Sequence, residues 1–437
     1  MAKAKSKKIT LEEALVPVEE QPYEVPENWC WTYLLNGFAE CKDGNRKPIN
    51  ASERAEREGD IPYYGATGQA GWIDDYLTDE QLVLLGEDGA PFLELLKDKA
   101  YLIEGKAWVN NHAHIIKSHY GEVGNKYILH YLNVFNFHGY VNGTTRLKLT
   151  QASMRTIPVP LPPLAEQKRI VEQIESLFAK LDEAKEKALS VVESFELREK
   201  AIYKKAFEGN LTNSWRAENG INISEWEEIP FEKLGKLERG RSKHRPRNDK
   251  RLFGGKYPFI QTGDVAGAGM YVTSHKQTLS EFGFEQSRMF PKGTLCITIA
   301  ANIGDAAILS YDCCFPDSVV GFTPGEKCLN KYMYFYLQEI KAELEYIAPA
   351  TAQKNLNLKL LGKVEIKVPS LKEQEKIVEI LEKQINDQEN IVEKAENVIE
   401  TIDVMKKSIL AKAFRGELGT NIETEESAIE LLKSIFK

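Results

Sequence analysis

His112 and His114, in the run VNNHAHII, are the first residues whose type and spacing could do chemistry. Side chains two apart on a strand share a face, so the pair could offer imidazole nitrogens to a metal. Two ligands do not close a tetrahedral site, and a loop or groove position is the better expectation. The acid pairs Asp74-Asp75 and Glu87-Asp88 sit in turn-like contexts, where solvated carboxylates are the default. There is no GxxxxGKS/T phosphate loop, no GxSxG elbow and no HExxH helix. The cysteines, Cys30, Cys41, Cys296, Cys313, Cys314 and Cys328, form no CxxC pair and no spaced metal pattern, so they read as reduced structural thiols. These residues point to no enzyme, no metal and no cofactor.

Charge clustering is the stronger signal. Within RGRSKHRPRNDKRLFGGK, eight cations (Arg239, Arg241, Lys243, Arg245, Arg247, Lys250, Arg251 and Lys256) face the single acid Asp249, in a chain whose formal net charge is −8. Such a segment can neutralise phosphates and release counterions, and its arginines suit forked recognition of phosphate or guanine edges. Gln261, Thr262, Asn302, Gln353 and Asn355 lie in or beside glycine-rich turns, and Gln and Asn can read adenine bidentately. In the first half of the chain the comparable candidates are Tyr63, Tyr64, Thr67, Gln69, Asn111, His112, Thr144, Thr145, Arg146 and Lys148.

The elements that must position these residues follow from the hydrophobic pattern. At 437 residues the chain is too long for one ordinary domain. No apolar run reaches a membrane span and MAKAKSKK has no apolar signal core, so the cytoplasm is the simplest location. Residues 1–25 read as an arm with a basic tip (Lys3, Lys5, Lys7, Lys8), and residues 26–157 as short strands and turns with one amphipathic helix near 125–132. Residues 158–212 hold a proline series and a long helix. Residues 213–364 form a second strand-rich region behind a polar linker, 213–223; residues 365–418 are a second helical region and 419–437 a tail.

The two helical regions are copies. At a constant offset of 207, residues 162–211 match 369–418 at 20 of 50 positions without a gap. Apolar residues step by four and three in both: Ile170, Ile174, Leu177, Leu181, Ala184, Ala188, Val191, Phe195 and Ile202 in the first, and Ile377, Leu381, Ile391, Ala395, Val398, Ile402, Met405 and Ile409 in the second. These are coiled-coil seams, and two seams in one chain suggest one intramolecular pair. Arg198 interrupts the first and Gln384 and Gln388 the second, so these residues could meet in an antiparallel pair and fix its register. Gly209 and Gly416 stand where a left-handed residue ends a helix. The duplication extends more faintly into the globular regions. Tyr127 and Tyr131 answer Tyr332 and Tyr336, and Pro62-Tyr63 answers Pro258-Phe259.

The paired helix starts LPPLAEQKRIVE and VPSLKEQEKIVE, the paired ends KKAFEGNL and AKAFRGEL, and the strands YYGATG and GTLCITIAANIGDAAIL resemble the specificity subunit of type I restriction-modification systems. The resemblance covers nearly the whole chain. It implies an α+β fold with two mixed α/β target-recognition domains held apart by an antiparallel coiled coil. Each domain would read one half of a bipartite site in double-stranded DNA, without catalysis of its own. It further implies two modification subunits that bind S-adenosylmethionine and methylate adenine, and two ATP-dependent restriction subunits that translocate and cut.

Under that resemblance the shared positions build the fold and the unshared ones read DNA. Tyr127 and Tyr332 then belong to the core. His112, which corresponds to Ser318, and the Arg239 to Lys256 segment, weakly echoed by Arg46, Lys47, Arg54 and Arg57, are the better specificity candidates. Removing Arg241 and Arg245 together should weaken DNA binding with a reduced salt slope. The competing class is a non-catalytic coiled-coil scaffold or adaptor for protein partners, which the acidic net charge favours and the arginine cluster disfavours.

Overall fold

Proline at 158, 160, 162 and 163 keeps the backbone extended up to the first long helix. In the computed structural model, which describes residues 9–348 and 356–437, that stretch is the strand Pro158–Leu161, antiparallel to Cys30–Tyr33 with Cys30 opposite Leu161. The second copy repeats it: Glu365–Val368 runs antiparallel to Glu227–Pro230 with Glu227 opposite Val368. The chain forms two compact units, Met1–Leu189 with Glu396–Lys437 (unit 1) and Ser190–Ala395 (unit 2).

Unit 1 contains two four-stranded sheets. One has the order Ala39–Cys41, Ala113–Ser118, Leu82–Gly86, Ala100–Ile103, and the other Gln69–Ile73, Ile61–Tyr64, Lys106–Val109, Thr78–Asp79. Leu82 to Leu85 are buried without exception, because the strand is covered on both faces. Unit 2 has a five-stranded sheet, Gly235–Arg239, Val319–Pro324, Leu295–Thr298, Ala306–Leu309, Tyr271–Val272, and a four-stranded one, Gln277–Leu279, Phe253–Phe259, Cys313–Cys314, Met289–Phe290.

Each unit is locked by the same three aromatics. The hydroxyls of Tyr127 and Tyr131 donate to the carbonyls of Pro160 (2.8 Å) and Pro158 (2.5 Å), and both rings meet Phe414 edge-on at 5.1 Å. In unit 2 the hydroxyls of Tyr332 and Tyr336 donate to Lys367 (2.6 Å) and Glu365 (3.5 Å), and the rings meet Phe207 at 5.4 and 4.9 Å. Acceptors and phenylalanines are 207 apart in sequence, so the tyrosines are framework, as their repetition predicts. Each phenylalanine comes from the helix end of the opposite sequence repeat. Each hydroxyl bond contributes roughly 1 kcal/mol net.

A buried acid marks each helix start. Glu373 accepts from Trp226 Nε1 (3.0 Å), Thr212 Oγ1 (2.8 Å) and Arg216 (2.7 Å). Glu166 accepts from Trp29 Nε1 (2.7 Å) and Asn421 (2.8 Å). The linker 213–223 is in part ordered: Asn213–Asn219 is a helix whose Arg216 is buried against Glu373, each charge offsetting the other's loss of water.

The long helices are Leu164–Glu193, Phe195–Phe207 and Leu371–Ala413. Ser194 separates the first two, its hydroxyl bonding the Ser190 carbonyl at 2.6 Å, a local competitor to the helical ladder. Gly209 and Gly416 take φ of 79° and 75°, the left-handed caps expected. Within unit 1 the helices run antiparallel, with Lys185 on Asp403 (2.9 Å) and Lys406 on Asp182 (2.5 Å). Within unit 2 the Arg198 Nε donates to Gln388 Oε1 at 2.7 Å, the meeting that their interruption of the seams suggests. The second seam needs correction. Ile391, Val398 and Met405 are 43–45% exposed, while Ala395 and Ile402 are buried. Apolar residues are adjacent at 391/392 and 398/399, so two stripes fit the heptad pattern, and the packed one runs Gln388, Val392, Ala395, Ile399, Ile402, Lys406 and Ile409.

From residue 9 onward the arm, with the tail, belongs to unit 1, and the basic tip Lys3, Lys5, Lys7 and Lys8 lies outside the described residues. Thr10 and Glu13 form a capping box, Ala428 N–H donates to the Asn28 carbonyl (2.9 Å), and Leu432 is buried in the core that holds Leu34 and Phe38. No described helix is long and apolar enough to cross a membrane.

Candidate nucleic-acid interface

In unit 2 the strand Gly235–Arg239 delivers the basic segment to a loop that runs to the short turn Lys250–Leu252. The sequence shows one acid there; the fold brings two more. Arg247 pairs with Asp317 (2.8 Å), Arg251 with Asp249 (2.7 Å) and Lys256 with Glu281 (3.0 Å). Arg239 donates to the Asp317 carbonyl, and Arg245 to the carbonyls of Ser242 and His244 at 2.7 and 2.8 Å. Asp249, held by Arg251 and then by His244, is a strong acid, its carboxyl far below the usual range. Lys243 and Lys250 are exposed, and neither ammonium has a carboxylate partner among the described residues. Three of the eight cations are thus neutralised by carboxylates; Arg239 and Arg245 keep their charge while tied to carbonyls of the loop, and Lys243 and Lys250 are the exposed cations left to reach outward. Arg241 differs: it is partly buried, its main-chain N–H donates to the Phe315 carbonyl (3.1 Å), and its Nε has no partner.

Thr262 opens the helix Thr262–Ala266 and Gln261 precedes it, its Nε2 donating to Gln277 at 2.7 Å. Asn302 is exposed in the turn before Ala306–Leu309, where Ala301 takes a φ of 64°. Gln353 and Asn355 lie outside the described residues.

In unit 1 three loops converge. Thr67, Thr145 and Arg146 line a cavity of about 620 Å3 with Gly89, Phe92 and Leu93. His112 Nδ1 and Arg146 both reach Asp88 at 2.7 Å. Lys148 reaches Glu87 at 3.0 Å and Arg46 reaches it at 2.5 Å. Glu87 and Asp88 are therefore not solvated turn acids but the counter-ions that orient Arg46, Arg146 and Lys148. Burial alone would raise the Glu87 carboxyl, yet Arg46 and Lys148 hold it below the ordinary range. Asn111 and Thr144 are exposed on the same loops, and Gln69 is exposed at the start of the strand Gln69–Ile73. Tyr64 is partly buried against Tyr101, and Tyr63 is a core residue, 2% exposed with its hydroxyl on the Ile49 carbonyl. Tyr63 cannot touch DNA here, because it points inward from a strand whose outer neighbours carry the surface.

His112 lies in a turn and His114 on a strand, so the two do not share a face. His114 Nδ1 sits 2.7 Å from Asp43 and Nε2 3.0 Å from the Leu149 carbonyl. Cys41, Asp43 and His114 lie close enough to hold an ion. Arg46 already pairs with Asp43 at 3.0 Å, however, and both ring nitrogens are engaged by oxygens, which fits an imidazolium better than a metal ligand. Burial would lower the His114 pKa, but the bonds to Asp43 and its neighbours raise it to about 9. All six cysteines are free, and burial raises the thiols of Cys30, Cys313 and Cys328 to about 12.

The two units therefore share a framework and differ in the loops above it. A family model for the type I restriction modification DNA specificity domain matches twice, over residues 26–194 and 223–401. The chain belongs to this family. It is 30% identical over 360 residues to a Haemophilus influenzae chain assigned as a type I restriction enzyme specificity subunit, covering 80% of this chain and 86% of that one. It is 25% identical over 343 residues to the EcoBI specificity subunit of Escherichia coli, covering 70% and 69%. Its fold is that of the HsdS subunit from Thermoanaerobacter tengcongensis, with a TM-score of 0.62 at 18% identity over 92% of this chain and all of that one.

Membership of the DNA specificity family makes the convergent loops the surface of interest, and several of their residues carry no local sequence signal. Asp317, Glu281 and Gln286 lie far from the basic segment in sequence and meet it only in the fold. Arg54 and Arg57, which lie over the rings of Tyr63 and Trp108 at 4.8 Å, were visible only as a basic echo.

Proposed function

We propose that the chain is the DNA-recognising subunit of a type I restriction-modification complex, in which units 1 and 2 each read one half of a bipartite, asymmetric target. The observation that carries this reading is the contrast between the repeated Tyr-Tyr-Phe framework and the unrepeated loops: one architecture presents two different surfaces. In unit 1 the reading residues are Thr67, Gln69, Asn111, His112, Thr144, Thr145, Arg146 and Lys148. In unit 2, Lys243 and Lys250 contact phosphates, and Arg241, Gln261, Thr262 and Asn302 face base edges.

The chain contributes no catalytic step. It assembles two modification subunits and two restriction subunits, and the half-exposed Val398, Val404 and Met405 of unit 1 suit a protein partner. A pure scaffold would have no use for two diverged loop sets. Base-resolved mapping of adenine methylation in cells carrying the assembled system tests the reading. It predicts one motif with two unlike halves and a fixed spacer; methylation without a bipartite motif, or unchanged when this chain is deleted, would refute it.

A further inference from the structure

The internal repeat allows the units to be compared position by position. In unit 1 Tyr63 pairs with Trp108 across parallel strands, and in unit 2 Phe259 pairs with Cys314 in the same way. Beside them the Lys47 N–H donates to the Val109 carbonyl, and the Arg241 N–H to the Phe315 carbonyl, each at 3.1 Å. Trp108 and Cys314 are thus equivalent, and so are Lys47 and Arg241.

What fills the space differs. The Trp108 indole is 2% exposed, and its Nε1 donates to the Lys47 carbonyl at 2.8 Å. The lysine ammonium lies over the same ring at 5.7 Å. A cysteine at the equivalent place in unit 2 reaches much less far. Cys314 is buried in a cluster with Phe259 and Leu279, and these two side chains with Phe253 wall a recess of about 120 Å3 that is edged by Arg241, Gln261 and Ser287. The Arg241 Nε is buried with no hydrogen-bond partner, and Ser287 Oγ, beside the Cys314 thiol, has no nitrogen or oxygen partner. A buried donor without an acceptor is destabilising unless a ligand or water supplies one.

We infer that this recess is a base-reading pocket of unit 2, in which the Arg241 guanidinium donates to the acceptor edge of one base, guanine by its N7 and O6. The inference rests on the DNA-recognition reading above and assigns one position of the unit 2 half-site. The apolar walls suit the edge of a base presented in the groove. They suit a hydrated phosphate poorly, and the neighbouring Arg247 is already neutralised by Asp317. An arginine donating two parallel bonds is also the side chain that distinguishes guanine from the other bases in the major groove.

The test uses the complete complex assembled on wild-type chain, on Arg241→Ala, on Arg241→Lys and on Cys314→Trp, which restores the indole found in unit 1. Methylation is mapped at base resolution, and binding to targets altered at single bases is measured at several salt concentrations. Discrimination at one guanine of the unit 2 half-site should fall by roughly 5-fold to 150-fold in the alanine variant. The unit 1 half-site, the spacer and the salt slope should be unchanged. Because the unit 1 half-site is read by the same molecules, misfolding is distinguished from lost reading. Uniform weakening across all sequences with a shallower salt slope would make Arg241 a phosphate contact and overturn the inference. An unaltered motif in both arginine variants would overturn it as well. A wild-type complex with no bipartite motif would instead refute the DNA-recognition reading beneath it.

Discussion

His114 supplies a sharp pH prediction, because it sits at the base of the unit 1 surface. It is 2% exposed, with Asp43 on one ring nitrogen and the Leu149 carbonyl on the other, and its folded pKa is about 9 against 6.5 for an ordinary histidine. The sign follows from linkage. A group whose folded pKa exceeds its unfolded value contributes stability that is full below about 6.5 and lost as pH rises through about 9. The difference corresponds to roughly 3 kcal/mol at pH 6. Charge on the ring also fixes its neighbours: Asp43 anchors the Ile115 N–H at 2.9 Å and pairs with Arg46, which in turn holds Glu87. Hydrogen exchange of the amides in Ala113–Ser118, compared between wild type and His114→Gln from pH 6 to 9.5, should show a stability gap that closes as pH rises. A histidine titration by NMR should have its midpoint near 9. A gap independent of pH, or a midpoint below 7, would show that the ring is a neutral core histidine and that the ion network beneath the loops has been misread.

Replacing Lys243 and Lys250 with Gln should reduce the logarithmic salt slope of DNA binding by about 2 in total, one per lost phosphate contact, without changing the target motif; an unchanged slope would place these lysines off the DNA. Glu373→Ala leaves the Arg216 guanidinium, 4% exposed, without its acid, and should cost about 3–5 kcal/mol in chemical denaturation, against less for Glu373→Gln, which keeps the bond from Trp226. Because Asp182 faces Lys406 and Lys185 faces Asp403, a heptad deletion that preserves pairing removes residues 180–186 with 402–408, not with the repeat-related 387–393. Seven residues at 1.5 Å each shorten a helix by roughly 10 Å, or about three base pairs of spacer, readable in a methylation map.

What was legible in the sequence was whatever the chain states twice. The offset of 207 locates Phe207 and Phe414, and the tyrosines they meet are legible for the same reason. A heptad pattern finds the helices but not the packed stripe, since neighbouring apolar residues at 391/392 and 398/399 satisfy it equally. The candidate site was legible as a cation-rich segment, but not its electrostatic state, because Asp317 arrives from a turn and Glu281 from a short helix, both distant in sequence. Tyr63 misled because an aromatic beside a glycine turn has the same local signature whether it faces inward or out.

The same division explains why a duplicated chain can carry two specificities at little structural cost. The tyrosine hydroxyls and the glutamines at the helix starts, Gln167 on Pro162 and Gln374 on Pro369, bind main chain, and the buried acids Glu166 and Glu373 bind buried side chains of the framework, so they constrain the scaffold and leave the loops unconstrained. One step inward from the loops, Trp108 and Cys314 show that even a core position can diverge, provided the strand pairing around it is kept. A change of side-chain volume there alters the shape offered at the surface without altering the fold that offers it. Specificity in such a molecule can therefore shift by filling or emptying a recess beneath the loops as well as by exchanging the residues on them.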